Sequence, residues 1–192
     1  MKKIKILAIV GSLRKDSYNR QLALEAKKLI GDRADFELLE YQDIPFMNQD
    51  IEYPAPEAVR RVRDAVKSAD GIWFFTPEYN HFFPGVLKNL IDWLSRPISG
   101  KEPQVLAGKP AAISGISPSM NGTSLAQDHL VTLISYLNMY VMNVPRLTMP
   151  NATQMLDSDG KLALKASYPY LGKQANAFID FTQRRNTLEP PL

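Results

Sequence analysis

Residues 11–20 read Gly11-Ser12-Leu13-Arg14-Lys15-Asp16-Ser17-Tyr18-Asn19-Arg20, and these residue types suit an anion. Ser12, Ser17 and Asn19 carry short hydrogen-bonding side chains, and Arg14 carries a permanent forked charge that matches phosphate oxygens. An apolar run at residues 4–10 comes before, and a segment with Leu22, Ala23, Ala26, Leu29 and Ile30 at helical spacing comes after. The order is strand, turn, helix. A helix N-terminus exposes unpaired amides and the positive end of its dipole, so the expected chemistry is capture of a terminal phosphate. No Gly-Lys-Ser/Thr follows, which excludes a mononucleotide P-loop, and Gly11 stands without the later glycines of a dinucleotide fingerprint. Taken alone, the stretch fits equally well a polar turn in which Ser17 only caps a helix.

Strands and helices must alternate to position such a turn, and the chain of 192 residues does so without a repeat or a linker. Strands are expected at residues 4–10, 36–41, 71–75, 110–114 and 140–144. Helices are expected at residues 17–30, from Pro56 through the stripe Val59, Val62, Val66, from Val86 to before Pro97, around Leu125 to Leu137, and at residues 173–185. The segment 43–50 reads as a loop, residues 115–122 as a polar turn and 186–192 as a frayed tail. This predicts a single α/β domain, a doubly wound five-stranded parallel sheet of flavodoxin-like order 2-1-3-4-5. In that order the chain reverses direction between strands one and three, and ligands bind outside their carboxyl ends. The stretch 11–20 and a second unusual one, residues 76–85, follow those two strands.

Composition narrows the classes. The hydrophobic share of 45% supports one substantial core, and the net charge of +3 comes without a basic run interleaved with aromatics, so neither a nucleic-acid face nor a membrane partner is expected. The absence of cysteine excludes disulfides, thiol nucleophiles and thiolate metal sites, and redox chemistry then needs a borrowed cofactor. His81 and His129 are the two histidines, so no metal site is expected; His129 reads as a packed histidine within its helical stripe. Trp73 and Trp93 read as core, and Met139, Met142, Met149 and Met155 as core and interface filler. The apolar run at residues 4–10 is interrupted by Lys5 and lacks a cleavage site, so the expected location is cytoplasmic. Gly115-Ile116-Ser117-Pro118-Ser119 lacks the final glycine of a hydrolase elbow.

The second stretch is Thr76-Pro77-Glu78-Tyr79-Asn80-His81-Phe82-Phe83-Pro84-Gly85. Pro77, Pro84 and Gly85 keep Glu78-Tyr79-Asn80 out of regular structure, which leaves backbone amides uncommitted. Tyr79 offers a ring for contact with a flat heterocycle such as a flavin, and Asn80 both donates and accepts. Together with Gly11-Ser12-Leu13-Arg14-Lys15-Asp16-Ser17-Tyr18-Asn19, with Ala69-Asp70-Gly71 and with Pro84-Gly85-Val86-Leu87-Lys88-Asn89-Leu90-Ile91-Asp92-Trp93-Leu94-Ser95-Arg96, this stretch resembles the NADPH-dependent FMN reductase family. The resemblance implies that FMN phosphate binds at Ser12, Arg14, Ser17, Tyr18 and Asn19. It places the isoalloxazine along Pro77, Glu78, Tyr79 and Asn80, with Ser114 and Gly115 as a third wall. It implies that NADPH or NADH reduces a small acceptor by way of FMN, that no side chain acts as nucleophile, and that the protein forms a homodimer or homotetramer. Two features depart from the family. The third loop has one glycine and a proline where paired glycines are usual, and His81-Phe82-Phe83 is bulkier than usual. The bulk places His81 and Phe82 on the substrate side and favours flat aromatic acceptors; Arg96 fits better a cation that complements the C-terminus of its helix, and is otherwise a candidate, across a dimer interface, for an anionic acceptor or a nicotinamide phosphate. Two other readings stay open, an FMN-binding electron carrier without turnover, although such carriers are strongly acidic, and a non-enzymatic phosphate-binding module on the same fold.

Overall fold

The computed structural model describes residues 3–100 and 102–187. Six strands form one sheet: β1 (Lys5–Val10), β2 (Asp35–Leu38), β3 (Gly71–Phe75), β4 (Pro110–Ile116), β5 (Tyr140–Val141) and β6 (Leu147–Met149). The helices are α1 (Tyr18–Ile30), α2 (Glu57–Ser68), α3 (Gly85–Leu94), α4 (Ser124–Tyr136) and α5 (Tyr168–Thr187). The strand order is β2-β1-β3-β4-β5, with β6 also on β4, and every pairing is parallel. This is the expected flavodoxin-like arrangement. β3 and β4 are buried along their whole length, as continuous apolar runs must be when helices cover both faces. Val10 pairs with Phe75 and Phe75 with Ser114, so β1, β3 and β4 reach one edge of the sheet together and their following loops open side by side.

Each face of the sheet has its own core. Leu22, Ala23, Ala26 and Ile30 of α1 and Leu171, Ala175 and Phe178 of α5 pack on Trp73 and Phe75. Trp73 stacks on Phe75 at 5.1 Å and meets Phe178 edge-on at 5.6 Å. On the other face Val62, Val66, Leu87, Leu90, Leu130 and Ile134 close over Phe74 and Ile113. Each such side chain contributes about 1.5–3 kcal/mol relative to exposure. Trp73 and Trp93 are fully buried, as expected, and so nearly are Met139, Met142 and Met149.

Several boundaries differ from expectation. The fifth strand is divided: β5 pairs with Pro110 and Ala111, and β6 with Ser114 to Ile116. Pro145 between them has no N–H to give a ladder, and Val144 turns out to solvent, 83% exposed. β4 runs on through Gly115 and Ile116, so the polar turn begins two residues later. A short 3-10 turn at Gln49–Ile51 interrupts the expected loop. The last helix starts at Tyr168 and continues through Thr187; the rest of the expected tail lies outside the described residues. α4 is apolar on two faces. Ala126, Leu130 and Ile134 point into the core, while Leu125 and Tyr136 are 39% and 84% exposed. His129 falls on the exposed side of that helix, which corrects its expected place in the packed stripe.

Candidate active site

The two unusual loops meet at Gly11. Its amide donates to the carbonyl of Phe75 at 2.8 Å. A Cβ here would stand 3.3 Å from Pro77, from Thr76 and from Leu87, which is tight enough that the absent side chain lets the loops close on each other. Beyond Gly11, Ser17 caps α1, its Oγ accepting from the Arg20 amide at 3.0 Å and its amide donating to the Arg14 carbonyl at 3.1 Å. The cap is real and leaves the first-turn amides of Tyr18 and Asn19 without a protein acceptor among the described residues. Ser12 Oγ accepts from the Arg14 amide at 3.4 Å. The Arg14 guanidinium is exposed, 5.2 Å from the centre of the Tyr18 ring, and enters no ion pair among the described residues. Asn19 is almost fully buried and turned toward β4, where its carboxamide donates to the Ile116 carbonyl at 2.9 Å and accepts from the Ile116 amide at 3.1 Å.

Where the sequence suggests an irregular second loop, the structure has a tight hairpin. The amides and carbonyls of Tyr79 and Phe82 pair reciprocally at 2.9 and 3.0 Å, and Asn80 and His81 both hold positive φ, 52° and 63°. Two left-handed residues between paired strands make a type I′ turn, whose twist suits a two-residue loop. The Tyr79 ring is left 53% exposed beside the first loop's edge of the sheet. Glu78 is tucked under the hairpin with its side chain 7% exposed, 3.6 Å from His81 Nδ1. Its other oxygen accepts from the Ala126 amide at 3.0 Å. Thr123, at the head of α4, makes no side-chain cap, so Glu78 supplies a carboxylate to that helix N-terminus. Phe82 rests on His129 of α4, ring centres 4.4 Å apart and planes at 30°.

The third wall is built differently from what its residue types suggest. Ser114 is fully buried, with its hydroxyl accepting from Trp73 Nε1 at 2.8 Å and donating to Gln174 Oε1 at 2.6 Å. The Ser114 side chain therefore faces the core, and its carbonyl, which accepts from the Thr76 amide at 2.9 Å, ties β4 to the second loop. At Gly115 a Cβ would fall 2.1 Å from Thr123 Oγ1 and 2.4 Å from the Thr76 carbonyl oxygen, so only glycine fits. Ser117 closes the turn that follows by donating to the Gly122 carbonyl at 2.6 Å. Gln127 beneath it is fully buried and leaves its Oε1 without a partner among the described residues.

Arg96 stands apart. It follows the C-terminal end of α3, a ten-residue helix about 15 Å long that starts beside the second loop. Its Nε and Nη2 donate to the two oxygens of Glu52 at 2.7 and 3.2 Å. Those hydrogen bonds hold the Glu52 carboxyl below the usual carboxylate range. Within one chain Arg96 is not brought to the loops. Next to the first loop, Tyr41 donates to the Val10 carbonyl at 2.6 Å, and burial raises its phenol above the usual range. A groove of about 530 Å³ there is lined by Ser12, Leu13, Arg14, Lys15 and Tyr41 among others. No cluster of three metal-ligating side chains exists among the described residues. The sequence reading missed Thr123 and Gln127, whose only signal was their position just after the third turn, and placed His129 in the packed stripe.

Residues 4–154 match the NADPH-dependent FMN reductase family. The chain is 38% identical over 168 residues to a 2-hydroxy-1,4-benzoquinone reductase of a Burkholderia species, covering 88% of this chain and 90% of that protein. It is 41% identical over 160 residues to an NAD(P)H-dependent FMN reductase of Pseudomonas aeruginosa, covering 83% and 84%. Among solved structures, a flavoenzyme NAD(P)H:(acceptor) oxidoreductase from Paracoccus denitrificans superposes with a TM-score of 0.85 at 34% identity, over 95% of this chain and 98% of that one. With two loops of the family's sequence meeting across Gly11 on a flavodoxin-like sheet, the chain belongs to the NADPH-dependent FMN reductase family and is an FMN-dependent NAD(P)H oxidoreductase.

Proposed function

We propose that this enzyme reduces flat aromatic acceptors, quinones foremost, at a site whose cofactor phosphate lies on residues 12–19 and whose isoalloxazine lies along residues 77–80. The observation that carries the reading is the contact of the two loops through Gly11, which sets an anion-binding helix start beside an exposed tyrosine ring. The donor set fits FMN. The amides of Tyr18 and Asn19, the Ser12 hydroxyl and the Arg14 guanidinium suit a phosphate dianion. Ser17 shapes the loop as a cap, and Asn19 holds α1 against β4. Tyr79 and Pro77 offer apolar contact, Asn80 and the amides of Glu78 and Asn80, which have no acceptor among the described residues, offer donors, and Gly115 lets β4 close against Thr76 and Thr123. When bound, FMN supplies the hydride relay from NADPH or NADH to the acceptor. The chain's residues position the reactants and exclude water, without a nucleophile or a metal.

The acceptor reading is supported by the exposed rings of Tyr79 and Phe82 and by relatives whose printed activity is quinone reduction. A homodimer or homotetramer is supported by Phe46 and Tyr136, which are 85% and 84% exposed and would be sheltered by a second copy. Among the described residues no helix is long and apolar enough to cross a membrane; the reading puts the enzyme in the cytoplasm, where its nicotinamide donor is made. The test is an absorption spectrum of the purified protein before and after anaerobic NADPH addition, followed by NADPH oxidation with menadione. A flavin spectrum that bleaches and steady turnover are expected. A protein that stays colourless after incubation with FMN refutes the site assignment, and bleaching without turnover of any quinone refutes the acceptor class.

A further inference from the structure

His81 stands at the second central position of the type I′ turn with φ 63°. Asn80 fills the first position as such turns prefer, but glycine is favoured at the second. A left-handed backbone at a residue with a side chain costs stability, so the turn alone gives no reason for a histidine there. Its side chain supplies one. His81 Nδ1 lies 3.6 Å from Glu78 Oε1, an ion-pair distance longer than a hydrogen bond. The surroundings of the two side chains differ sharply, that of His81 being 72% exposed and that of Glu78 only 7%. The carboxylate is fixed from behind, because its other oxygen accepts from the Ala126 amide at 3.0 Å at the head of α4. Tyr136 lies ten residues further along that helix, about 15 Å away, so the pair meets α4 at the opposite end from the ring assigned to a second copy. α4 also carries His129, stacked on Phe82, and Asp128, paired with Arg146 at 2.8 Å. Among the described residues Glu78 is therefore the charged group that faces the His81 imidazole.

We propose that His81 is the proton donor to the quinone acceptor and that Glu78 is its positioning residue. The inference rests on the assignment of residues 77–80 to the flavin, which sets His81 next in the chain on the acceptor side. Reducing a quinone to a hydroquinone takes two electrons and two protons. The hydride that NADPH gives up carries both electrons and one proton, so a second proton must reach the remaining quinone oxygen. The His81 imidazolium delivers it: its N–H bond breaks, an O–H bond forms and the carbonyl becomes C–OH. NADPH leaves as NADP⁺, and the neutral imidazole regains a proton from water. Imidazole fits this role because its charge changes near neutral pH, and its exposure lets solvent recharge it. The buried Glu78 carboxylate holds the imidazolium by charge against the hairpin. Ferricyanide takes one electron and no proton, so it has no use for such a donor.

The experiment compares the wild-type holoenzyme with His81→Gly and Glu78→Gln. Enzyme reduced anaerobically with NADPH is mixed with menadione or with ferricyanide, and reoxidation is followed by flavin absorbance between about pH 5.5 and about pH 9. In the wild type the ratio of the menadione rate to the ferricyanide rate should fall as the pH rises through the range in which His81 loses its proton. His81→Gly should lower that ratio at acid pH by roughly tenfold to a hundredfold, flatten its pH dependence, and recover when free imidazole is added. Glu78→Gln should lower the ratio by less and keep the pH dependence, since the donor is still present. His81→Gly suits the turn and should melt no lower than the wild type, which separates the loss from unfolding. Proton NMR of the oxidised holoenzyme, with His81→Gly identifying which of the two histidine signals belongs to His81, should show it titrating over the same pH interval as the wild-type ratio. Equal losses with both acceptors, a ratio in His81→Gly that keeps the wild-type pH dependence, or a His81 titration outside that interval overturns the proposal. A wild-type protein that holds no flavin or turns over no quinone overturns the site reading instead, so the two failures are separable.

Discussion

Asn19 in α1 clasps the peptide of Ile116 at the end of β4, donating to its carbonyl at 2.9 Å and accepting from its amide at 3.1 Å. One carboxamide thus completes a strand edge and sets the height of the helix start relative to the sheet. Replacing it by Asp keeps the shape and loses the donor, leaving the Ile116 carbonyl unpaired beside a buried charge. Asn19→Asp is expected to cost about 1–3 kcal/mol and to weaken FMN binding with it. Urea unfolding of the apoprotein and FMN titration measure the two effects; an unchanged unfolding midpoint would contradict the clasp.

Arg14 predicts the opposite pattern. Its guanidinium is exposed and touches only the Tyr18 ring among the described residues, so the fold does not depend on it. Arg14→Gln should leave the apoprotein melting temperature unchanged and raise the FMN dissociation constant about tenfold, the loss of one charge-assisted contact. The deficit should shrink as salt is added, because the lost interaction is between exposed charges. Titrations at low and high ionic strength decide it.

Ser114 separates a structural role from a cofactor role. Its hydroxyl joins Trp73 Nε1 to Gln174 Oε1 inside the core. Ser114→Ala leaves both of those buried groups short of a partner, at a cost of about 1–3 kcal/mol. In a domain of this size that is a fall of roughly 2–4 °C in melting temperature per kcal/mol. FMN affinity measured well below the new midpoint should stay near wild type. A large loss of affinity without a loss of stability would show that the hydroxyl reaches the cofactor.

The Glu52–Arg96 pair predicts an acid limb in the stability curve. The Arg96 hydrogen bonds hold Glu52 below its ordinary value of 4.5 in the folded protein. The unfolded chain therefore takes up the proton first as the pH drops. The stabilisation is present in full above the unfolded value and disappears as the pH falls through the lower folded one. Glu52→Gln should be less stable than wild type at neutral pH, and the two melting curves should converge only as the pH falls below the depressed folded value of Glu52, under its ordinary 4.5. Parallel curves down to the acid limit would remove Glu52 as a source of the pH dependence.

Much of the molecule is legible in the order of its residues. Unbroken apolar runs at β1, β3 and β4 require cover on both faces, and alternation with amphipathic helices leaves a doubly wound parallel sheet as the architecture. The polar stretch after β1 and the proline-bounded one after β3 then must sit together, because parallel strands deliver their following loops to a common edge. Local order alone could not say where side chains point when their partners are far along the chain. Asn19 and Ile116 are 97 residues apart, Ser114 and Gln174 are 60 apart, and Arg96 and Glu52 are 44 apart. Periodicity marks His129 as lying on an apolar stripe, but α4 has apolar residues on two sides, and only its docking against the sheet decides that His129 faces outward to Phe82. The pattern of burial is a property of each segment; the pairing of polar and aromatic groups is a property of how the segments pack.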